Sequence, residues 1–124
     1  MTGPVVGVVG SGAGGVEDLR ACLVQPLLHS GWRVAVTLTP TAASWLTANG
    51  ETERLELLTG LPVRSQPRLP GDESPHPPVS CYVVAPASAN FVAKLALGIA
   101  DNQALTQVGE ALGTRDLPVI FFRA

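Results

Sequence analysis

Near the start of the chain, a short run of β-branched residues leads into a glycine-rich turn, Val5-Val6-Gly7-Val8-Val9-Gly10-Ser11-Gly12-Ala13-Gly14-Gly15. A nearly continuous apolar run of this length predicts a strand buried on both faces, as in a parallel sheet. From Val16 to His29 the apolar residues recur at helical spacing, and Glu17 and Asp18 lie in the first turn, where the helix dipole favours acidic residues. The stretch therefore predicts a strand, a turn and a helix in that order.

The remaining sequence continues this alternation. Strands are predicted at 32–38, 81–85 and 117–122, and helices at 41–48, 51–58, 88–97 and 102–112. Residues 67–78 include five prolines and predict an exposed loop. The order of elements predicts one α/β domain over residues 1–124, a doubly wound three-layer αβα fold with a Rossmann-like parallel sheet. Ligands of such folds bind at the carboxyl ends of the strands.

Composition narrows the classes of partner. The chain has 124 residues, 46% of them hydrophobic, and a net charge of −2 without a run of Lys or Arg, so nucleic acid is not an expected partner. No apolar stretch approaches the roughly 18 to 20 residues that cross a bilayer, and the first residues lack the basic region of a secretory signal. We therefore expect a cytoplasmic protein without membrane contact. Cys22 and Cys81 are expected to be buried thiols, and no metal is expected because the two Cys and two His lack ligand spacing.

The glycine-rich turn is the first candidate for chemistry. The spacing Gly10-x-Gly12-x-x-Gly15 follows a strand and precedes a helix, which favours a phosphate group bound by backbone amides. A turn whose glycines only allow tight packing is the alternative. No Asp or Glu occurs between Asp18 and Glu51, so the acidic residue that would hold the ribose of NAD is missing. The turn therefore favours a phosphate-bearing cofactor other than NAD.

A second motif follows the third predicted strand. It reads Ala85-Pro86-Ala87-Ser88-Ala89-Asn90, and Gly98-Ile99-Ala100-Asp101-Asn102 comes shortly after it. Alanines keep the backbone accessible to a flat ring, and Ser88 and Asn90 place short polar groups at a helix start. A simple capped helix is the alternative interpretation. Asp101 is expected to cap the next helix.

These two blocks resemble the Pro-Ala-Ser-Ala-Asn signature and the following Gly-Ile-Ala-Asp-Asn of the homo-oligomeric flavin-containing cysteine decarboxylases. That family includes phosphopantothenoylcysteine decarboxylases and lantibiotic-type peptidyl-cysteine decarboxylases. Weaker similarity extends upstream to Thr39-Pro40-Thr41-Ala42-Ala43. The resemblance implies FMN as cofactor, oxidative decarboxylation of a small-molecule or peptide thiol, and assembly into a homo-oligomer, a trimer or a dodecamer.

The resemblance also implies roles for particular residues. It places the FMN phosphate near the turn that contains Gly10, Ser11 and Gly12, and near Thr39. It places the isoalloxazine ring beside Pro86, Ala87, Ser88 and Asn90, and Asn90 is the candidate catalytic residue. His76 is the candidate for the active-site histidine of the family, with a solvated loop histidine as the alternative.

Two features differ from the decarboxylases. Their substrate clamp, Pro-x-Met-Asn-x-x-Met-Trp, has no counterpart in the sequence, which ends Phe121-Phe122-Arg123-Ala124, so we expect either a C-terminally shortened domain or a branch without the clamp. Two alternative functions stay open. One is a non-catalytic flavoprotein subunit that needs a partner. The other is a flavin prenyltransferase-like relative, which needs a basic phosphate site, with Arg64, Arg68 and Lys94 as candidates.

Overall fold

The computed structural model, which describes residues 3–67, 69–114 and 116–123, contains a sheet of parallel strands in the order β2-β1-β3-β4. The strands are β1 (Val5–Gly10), β2 (Arg33–Leu38), β3 (Cys81–Ala87) and β4 (Val119–Arg123). Each end lies within two residues of its predicted position, so the predicted order of strands and the α/β fold class are confirmed.

The helices also follow the predicted order. They are α1 (Gln25–His29), α2 (Pro40–Ala48), α3 (Glu51–Thr59), α4 (Ala89–Ala96) and α5 (Gln103–Leu112). The helix predicted over 16–29 is present as successive turns of different width. A 3-10 turn covers Val16–Asp18 and a wider π turn covers Arg20–Val24 before α1 begins. Pro26, which has no N–H to donate, lies where the pattern changes to α.

Both faces of the sheet are covered, which makes three layers. Segment 16–29, α2 and α3 pack on the first face, and α4 and α5 pack on the second. The β-branched residues of the strands alternate between the two faces, since successive side chains of a strand point in opposite directions. The first-face core contains Val6, Val8, Val34, Val36, Leu38, Leu46 and Leu55, and the second-face core contains Val9, Tyr82, Val84, Phe91, Leu105 and Val108.

The long connection from β2 to β3 crosses the sheet from the first face to the second. After α3 the chain forms a single parallel bridge between Thr37 and Arg64 and then continues to Cys81 through turns and bends. In the described residues 65–67 and 69–80 this connection forms neither helix nor strand. The predicted loop over 67–78 is therefore confirmed in that part of the chain, although His76 within it is buried.

Predictions for three single residues are wrong. Cys22 is exposed because it lies on the outer side of the helical segment, and Cys81 is only partly buried at the start of β3. The cap of α5 is Asn102 and not Asp101, since Asn102 Oδ1 accepts a hydrogen bond from Leu105 N at 2.8 Å. Asp101 instead pairs with Lys94.

Candidate functional site

The carboxyl ends of β1 and β3 form the topological switch point of the sheet. From β1 the chain runs over the first face to β2, and from β3 it runs over the second face to β4. A crevice opens where two neighbouring strands send their connections to opposite faces, and this is where doubly wound folds bind ligands. The glycine-rich turn and the Pro-Ala-Ser-Ala-Asn motif therefore meet at one place.

Ser11 joins the two strand ends at this crevice. Its hydroxyl donates to the carbonyl oxygen of Pro86 at 2.5 Å and accepts from Ser88 N at 2.8 Å. Its backbone N–H also donates to Pro86 O at 3.2 Å. Ser11 is almost fully buried. The hydroxyl therefore holds the two motifs at a fixed separation and has both of these hydrogen bonds within the protein.

Three capped helices begin at the crevice. Thr39 Oγ1 accepts from Ala42 N at 3.4 Å to cap α2, and Ser88 Oγ accepts from Phe91 N at 3.1 Å to cap α4. Asn102 caps α5. Each cap satisfies one of the first N–H groups of its helix and leaves others pointing outwards. The positive ends of three helix dipoles therefore converge on one volume, which favours an anionic ligand.

Together these elements enclose what we call the edge cleft, with a volume of about 340 Å³. Its lining contains five of the predicted cofactor-binding residues, together with side chains from the first turns of α2, α4 and α5. The lining residues are Ser11, Gly12, Thr39, Pro40, Thr41, Ser88, Asn90, Phe91, Lys94, Asp101, Asn102 and Leu105.

Three predicted cofactor-binding residues lie behind the cleft and do not line it. Gly10 is the last residue of β1, where a Cβ would come 3.0 Å from Leu38 Cδ2. Pro86 contributes its carbonyl oxygen to Ser11. Ala87 is buried in the second-face core. These residues form the ends of β1 and β3 behind the residues that line the cleft.

Gly12 packs closely against the start of α2 at the cleft. A Cβ at this position would lie 2.7 Å from Thr41 Cγ2, which is closer than packed side chains allow. Within the described residues the N–H of Gly12 has no protein hydrogen-bond acceptor. Thr41, the second residue of α2, lies beside it and has an N–H without an intrahelical partner. Both amides are suited to hold a phosphate.

An ion pair at the rim of the cleft was not anticipated from the sequence. Lys94 Nζ lies 2.7 Å from Asp101 Oδ2, and both side chains are partly exposed. The pair joins the end of α4 to the residue before the cap of α5. Its two members are seven residues apart with Gly98 between them, so sequence spacing alone gives no signal of this contact.

With this geometry established, the comparisons with known proteins assign the chain to a family. Residues 3–124 match the family described as Flavoprotein. The chain belongs to the flavoprotein family. No curated protein matches the sequence significantly.

Solved structures with the same fold include FMN-dependent cysteine decarboxylases and other proteins described with FMN. The FMN-dependent cysteine decarboxylase TvaF from thioviridamide biosynthesis is 25% identical, with a TM-score of 0.75 over 99% of this chain and 74% of that one. Burkholderia xenovorans DmrB, described with FMN as a cubic protein cage for redox transfer, is 26% identical, with a TM-score of 0.75 over 98% of this chain and 66% of that one. AnUbiX (PadA1), in complex with FMN and dimethylallyl pyrophosphate, is 15% identical, with a TM-score of 0.74 over 96% of this chain and 64% of that one.

These matches confirm the resemblance to the flavin-containing cysteine decarboxylases. This flavoprotein chain spans about two thirds to three quarters of the length of these neighbours. At 15% identity, the likeness to AnUbiX concerns the fold alone.

The structure does not bring His76 to the edge cleft. His76 is buried under the proline-rich connection, where its Nε2 lies 2.6 Å from Pro62 O. A carbonyl oxygen only accepts, so Nε2 carries the proton. Burial lowers the pKa of His76, and the charge of Arg64 lowers it further, while the hydrogen bond to Pro62 acts in the opposite direction. The ring is therefore neutral at neutral pH, in a cavity separate from Asn90.

Of the three basic residues that a prenyl phosphate site would need, the two that the structure describes line different cavities. Arg64 lines the same cavity as His76, whereas Lys94 lines the edge cleft. Arg68 lies outside the described residues. Within the part of the chain that the structure describes, no cluster of three His, Cys, Asp or Glu could hold a metal, and no helix is long and apolar enough to cross a membrane.

Proposed function

We propose that this flavoprotein binds FMN in the edge cleft and uses it to decarboxylate a cysteine-containing substrate oxidatively. The phosphate lies at the glycine-rich turn and the start of α2, and the isoalloxazine ring lies beside Ser88 and Asn90. The substrate is a small-molecule or peptide thiol with a free carboxylate.

One observation carries the proposal. The starts of α2, α4 and α5 and the glycine-rich turn converge on one cleft at the switch point. A phosphate there would receive hydrogen bonds from the amides of Gly12 and Thr41 and interact favourably with three helix dipoles. The lining has one lysine, which is paired with Asp101, so the phosphate site relies on backbone groups more than on side-chain charge.

The chemistry divides between the cofactor and the chain. Bound FMN supplies a two-electron acceptor for the cysteine side chain of the substrate, after which carbon dioxide leaves readily from the neighbouring carbon. The chain orients both partners. Asn90, exposed in the first turn of α4, has a carboxamide that can donate to and accept from a ring or a substrate thiol. The hydrogen bonds of Ser11 to Pro86 and Ser88 keep the start of α4, and with it this carboxamide, at a fixed place relative to Gly12.

The cofactor part is tested by titrating the apoprotein with FMN and with riboflavin, following flavin fluorescence. We expect FMN to bind at least tenfold more tightly than riboflavin because riboflavin lacks the phosphate. Gly12→Ala should weaken FMN binding at least tenfold, since its Cβ meets Thr41. Gly14→Ala is the matched control, because a Cβ there has no neighbour within 4 Å. Equal affinity for the two flavins, or equal effects of the two substitutions, would place the phosphate elsewhere.

The reaction part is tested with the FMN-loaded protein under anaerobic conditions. A short peptide ending in cysteine and phosphopantothenoylcysteine are the two substrates, and the same peptide amidated at its C-terminus is the control. We expect loss of the visible flavin absorption and a product lighter by carbon dioxide and two hydrogens, with at least tenfold slower turnover in Asn90→Ala. Tight FMN binding without turnover on either substrate would favour the non-catalytic subunit that needs a partner.

We also propose that the chain self-associates through β4. Ile120, Phe121 and Phe122 are about half exposed on this strand at the edge of the sheet. Beside them Val92, Leu95 and Leu112 line an apolar groove of about 490 Å³. Exposed apolar surface of this kind marks an interaction site, and DmrB forms a cage. Light scattering should give a mass of a trimer or a dodecamer, and Phe122→Ser should lower it. A monomer at micromolar concentration would contradict this.

A further inference from the structure

A buried ion-pair cluster outside the edge cleft joins two elements of the first face. Glu51, the first residue of α3, is almost fully buried. Arg20 Nε donates to Glu51 Oε1 at 3.0 Å, and Arg54 Nη1 donates to Glu51 Oε2 at 2.8 Å. Burial alone raises the pKa of Glu51, but the hydrogen bonds and charges of the two arginines together lower it, so the side chain is a carboxylate at neutral pH.

The two arginines differ in what they connect. Arg54 belongs to α3 itself and lies three residues after Glu51, at the spacing of neighbours on one helix face. Arg20 lies in the π turn at the start of segment 16–29, 31 positions before Glu51. Of the two bonds, only the one to Arg20 therefore holds two separate elements together.

Segment 16–29 depends on such a restraint because its start lacks the usual ones. The segment follows Gly15, which has a φ of 98° and no side chain to cap a helix. A 3-10 turn and a π turn then take the place of regular α-helical hydrogen bonds. Val16 and Leu19 hold the segment to the sheet by apolar packing, which is not directional. The glycine-rich turn leads directly into this segment, so a shift of the segment also moves Gly12.

Glu51 in turn is fixed to the far end of α2. A short turn separates α2 from α3, and Glu51 N donates to Asn49 Oδ1 in that turn at 3.2 Å. The other end of α2 contributes Thr41 to the phosphate site, where a Cβ on Gly12 would lie 2.7 Å from Thr41 Cγ2. The glycine-rich turn and segment 16–29 therefore meet the pair of helices at both ends of α2. Two such contacts fix the orientation of one element against the other, whereas one contact leaves it free to pivot.

We propose that Glu51 is a positioning residue for the FMN phosphate. Through Arg20 it holds segment 16–29 against α2 and α3, which keeps the amides of Gly12 and Thr41 at the separation that a phosphate spans. This role rests on the FMN site proposed above. Neither Glu51 nor Arg20 lines the edge cleft, so both act through the glycine-rich turn and not by contact with the cofactor. Amides that are already held in place bind a phosphate without the cost of ordering them.

The first test compares flavins with and without the phosphate in Glu51→Gln, which keeps the size of the side chain and removes its charge. The apoprotein is titrated with FMN and with riboflavin, followed by flavin fluorescence. We expect FMN affinity to fall at least fivefold and riboflavin affinity to change less than twofold, because riboflavin does not use the phosphate amides. Glu53→Gln, exposed on the same helix, is the matched control and should leave both affinities unchanged.

Arginine variants separate the bond between elements from the bond within α3. Arg20→Gln should lower the ratio of FMN affinity to riboflavin affinity as Glu51→Gln does, whereas Arg54→Gln should leave that ratio within twofold. The double variant R20Q/E51Q should bind FMN as the two single variants do, since both changes remove the same bond.

Hydrogen exchange of the flavin-free chain gives a second readout that does not depend on FMN. The backbone amides of residues 11–20 should exchange several-fold faster in Glu51→Gln and Arg20→Gln than in the unmodified chain. The amides of α5, which packs on the other face of the sheet, should stay unchanged. A general loss of stability would instead speed exchange in both places.

The outcomes separate this role from the FMN site itself. If the unmodified chain binds FMN and riboflavin equally well, the phosphate site is wrong and the role of Glu51 falls with it. If the unmodified chain prefers FMN and folded Glu51→Gln and Arg20→Gln keep that preference, the FMN site stands and the role of Glu51 is overturned. An equal loss of both flavins, or faster exchange in α5 as well, would also overturn it. Arg20→Gln, whose side chain is partly exposed, decides the matter if Glu51→Gln does not fold.

Discussion

The edge cleft and the second-face cavity, which is the space under the proline-rich connection lined by Arg64, His76 and Tyr82, lie on the same sheet. Their walls are held in place by different means. At the edge cleft, Ser11 joins residues 75 and 77 positions away, and three caps fix the helix starts around it. The roof of the second-face cavity depends on shorter-range bonds, with His76 bound to Pro62 and the Ser74 hydroxyl bound to His76 O. Long-range hydrogen bonds are therefore concentrated where two motifs must keep a fixed separation.

Removing the long-range bonds should have the largest effect. Ser11→Ala leaves Ser88 N without its acceptor in a buried place, which costs about 1 to 3 kcal/mol of the free energy of unfolding. We also expect FMN affinity to fall at least tenfold, because the two motifs no longer hold their separation. Urea unfolding and FMN titration measure the two effects. Ser44→Ala, on the exposed side of α2, is the control. Equal behaviour of the two variants would show that Ser11 does not hold the two motifs at their separation.

Releasing the roof of the second-face cavity should have a smaller and local effect. His76→Ala removes the bond to Pro62, so the proline-rich connection is held less firmly. We expect cleavage by a glutamate-specific protease at Glu73 to become several-fold faster while FMN affinity stays unchanged. His29→Ala serves as the control. A loss of FMN binding in His76→Ala would show that the two sites are not independent.

The roof should also respond to pH. Burial, aided by Arg64, lowers the pKa of His76 in the folded chain, so the unfolded chain binds more protons as the pH falls below about 6.5. The contribution of neutral His76 to the free energy of unfolding is therefore complete above that pH and is lost as the pH falls towards the lower folded value. Urea midpoints at several pH values, compared between the unmodified chain and His76→Gln, measure this. A parallel pH dependence in both would exclude His76 as the cause.

The smallest effect is expected at the rim of the edge cleft. Asp101→Asn removes the partner of Lys94 and leaves its ammonium group to interact with the FMN phosphate. Exposed ion pairs contribute little and are screened by salt, so we expect a few-fold gain in FMN affinity at low salt and none at high salt. Riboflavin titration is the control, because it lacks the phosphate. The same gain for riboflavin would refute this role of Lys94.

Much of the fold could be predicted from local sequence. The valines of β1 and β2, the Pro40 that follows the Thr39 cap, and the glycines that end α3 and segment 16–29 each act within a few residues of one another. The position of the edge cleft followed as well, because strand order determines where a switch point lies.

The parts that could not be predicted depend on contacts distant in sequence. The Ser11 bonds to Pro86 and Ser88 arise when β1 and β3 pair, and the sequence suggested only a phosphate ligand for Ser11. The burial of His76 depends on where the proline-rich connection crosses the sheet. The second-face cavity lies between the sheet and a connection that has no helix in its described residues, and this arrangement produces no local pattern.

The packing of Tyr82 across Gly7 links two positions that face each other on neighbouring strands. The Tyr82 ring occupies the volume that a side chain on residue 7 would need, so a larger residue at position 7 requires a smaller one at position 82. In libraries that randomise both positions and select for folding, the volumes of residues 7 and 82 should be inversely correlated. Exchanging that volume, with a larger residue at 7 and a smaller one at 82, offers a way to reshape the second-face cavity without altering the edge cleft.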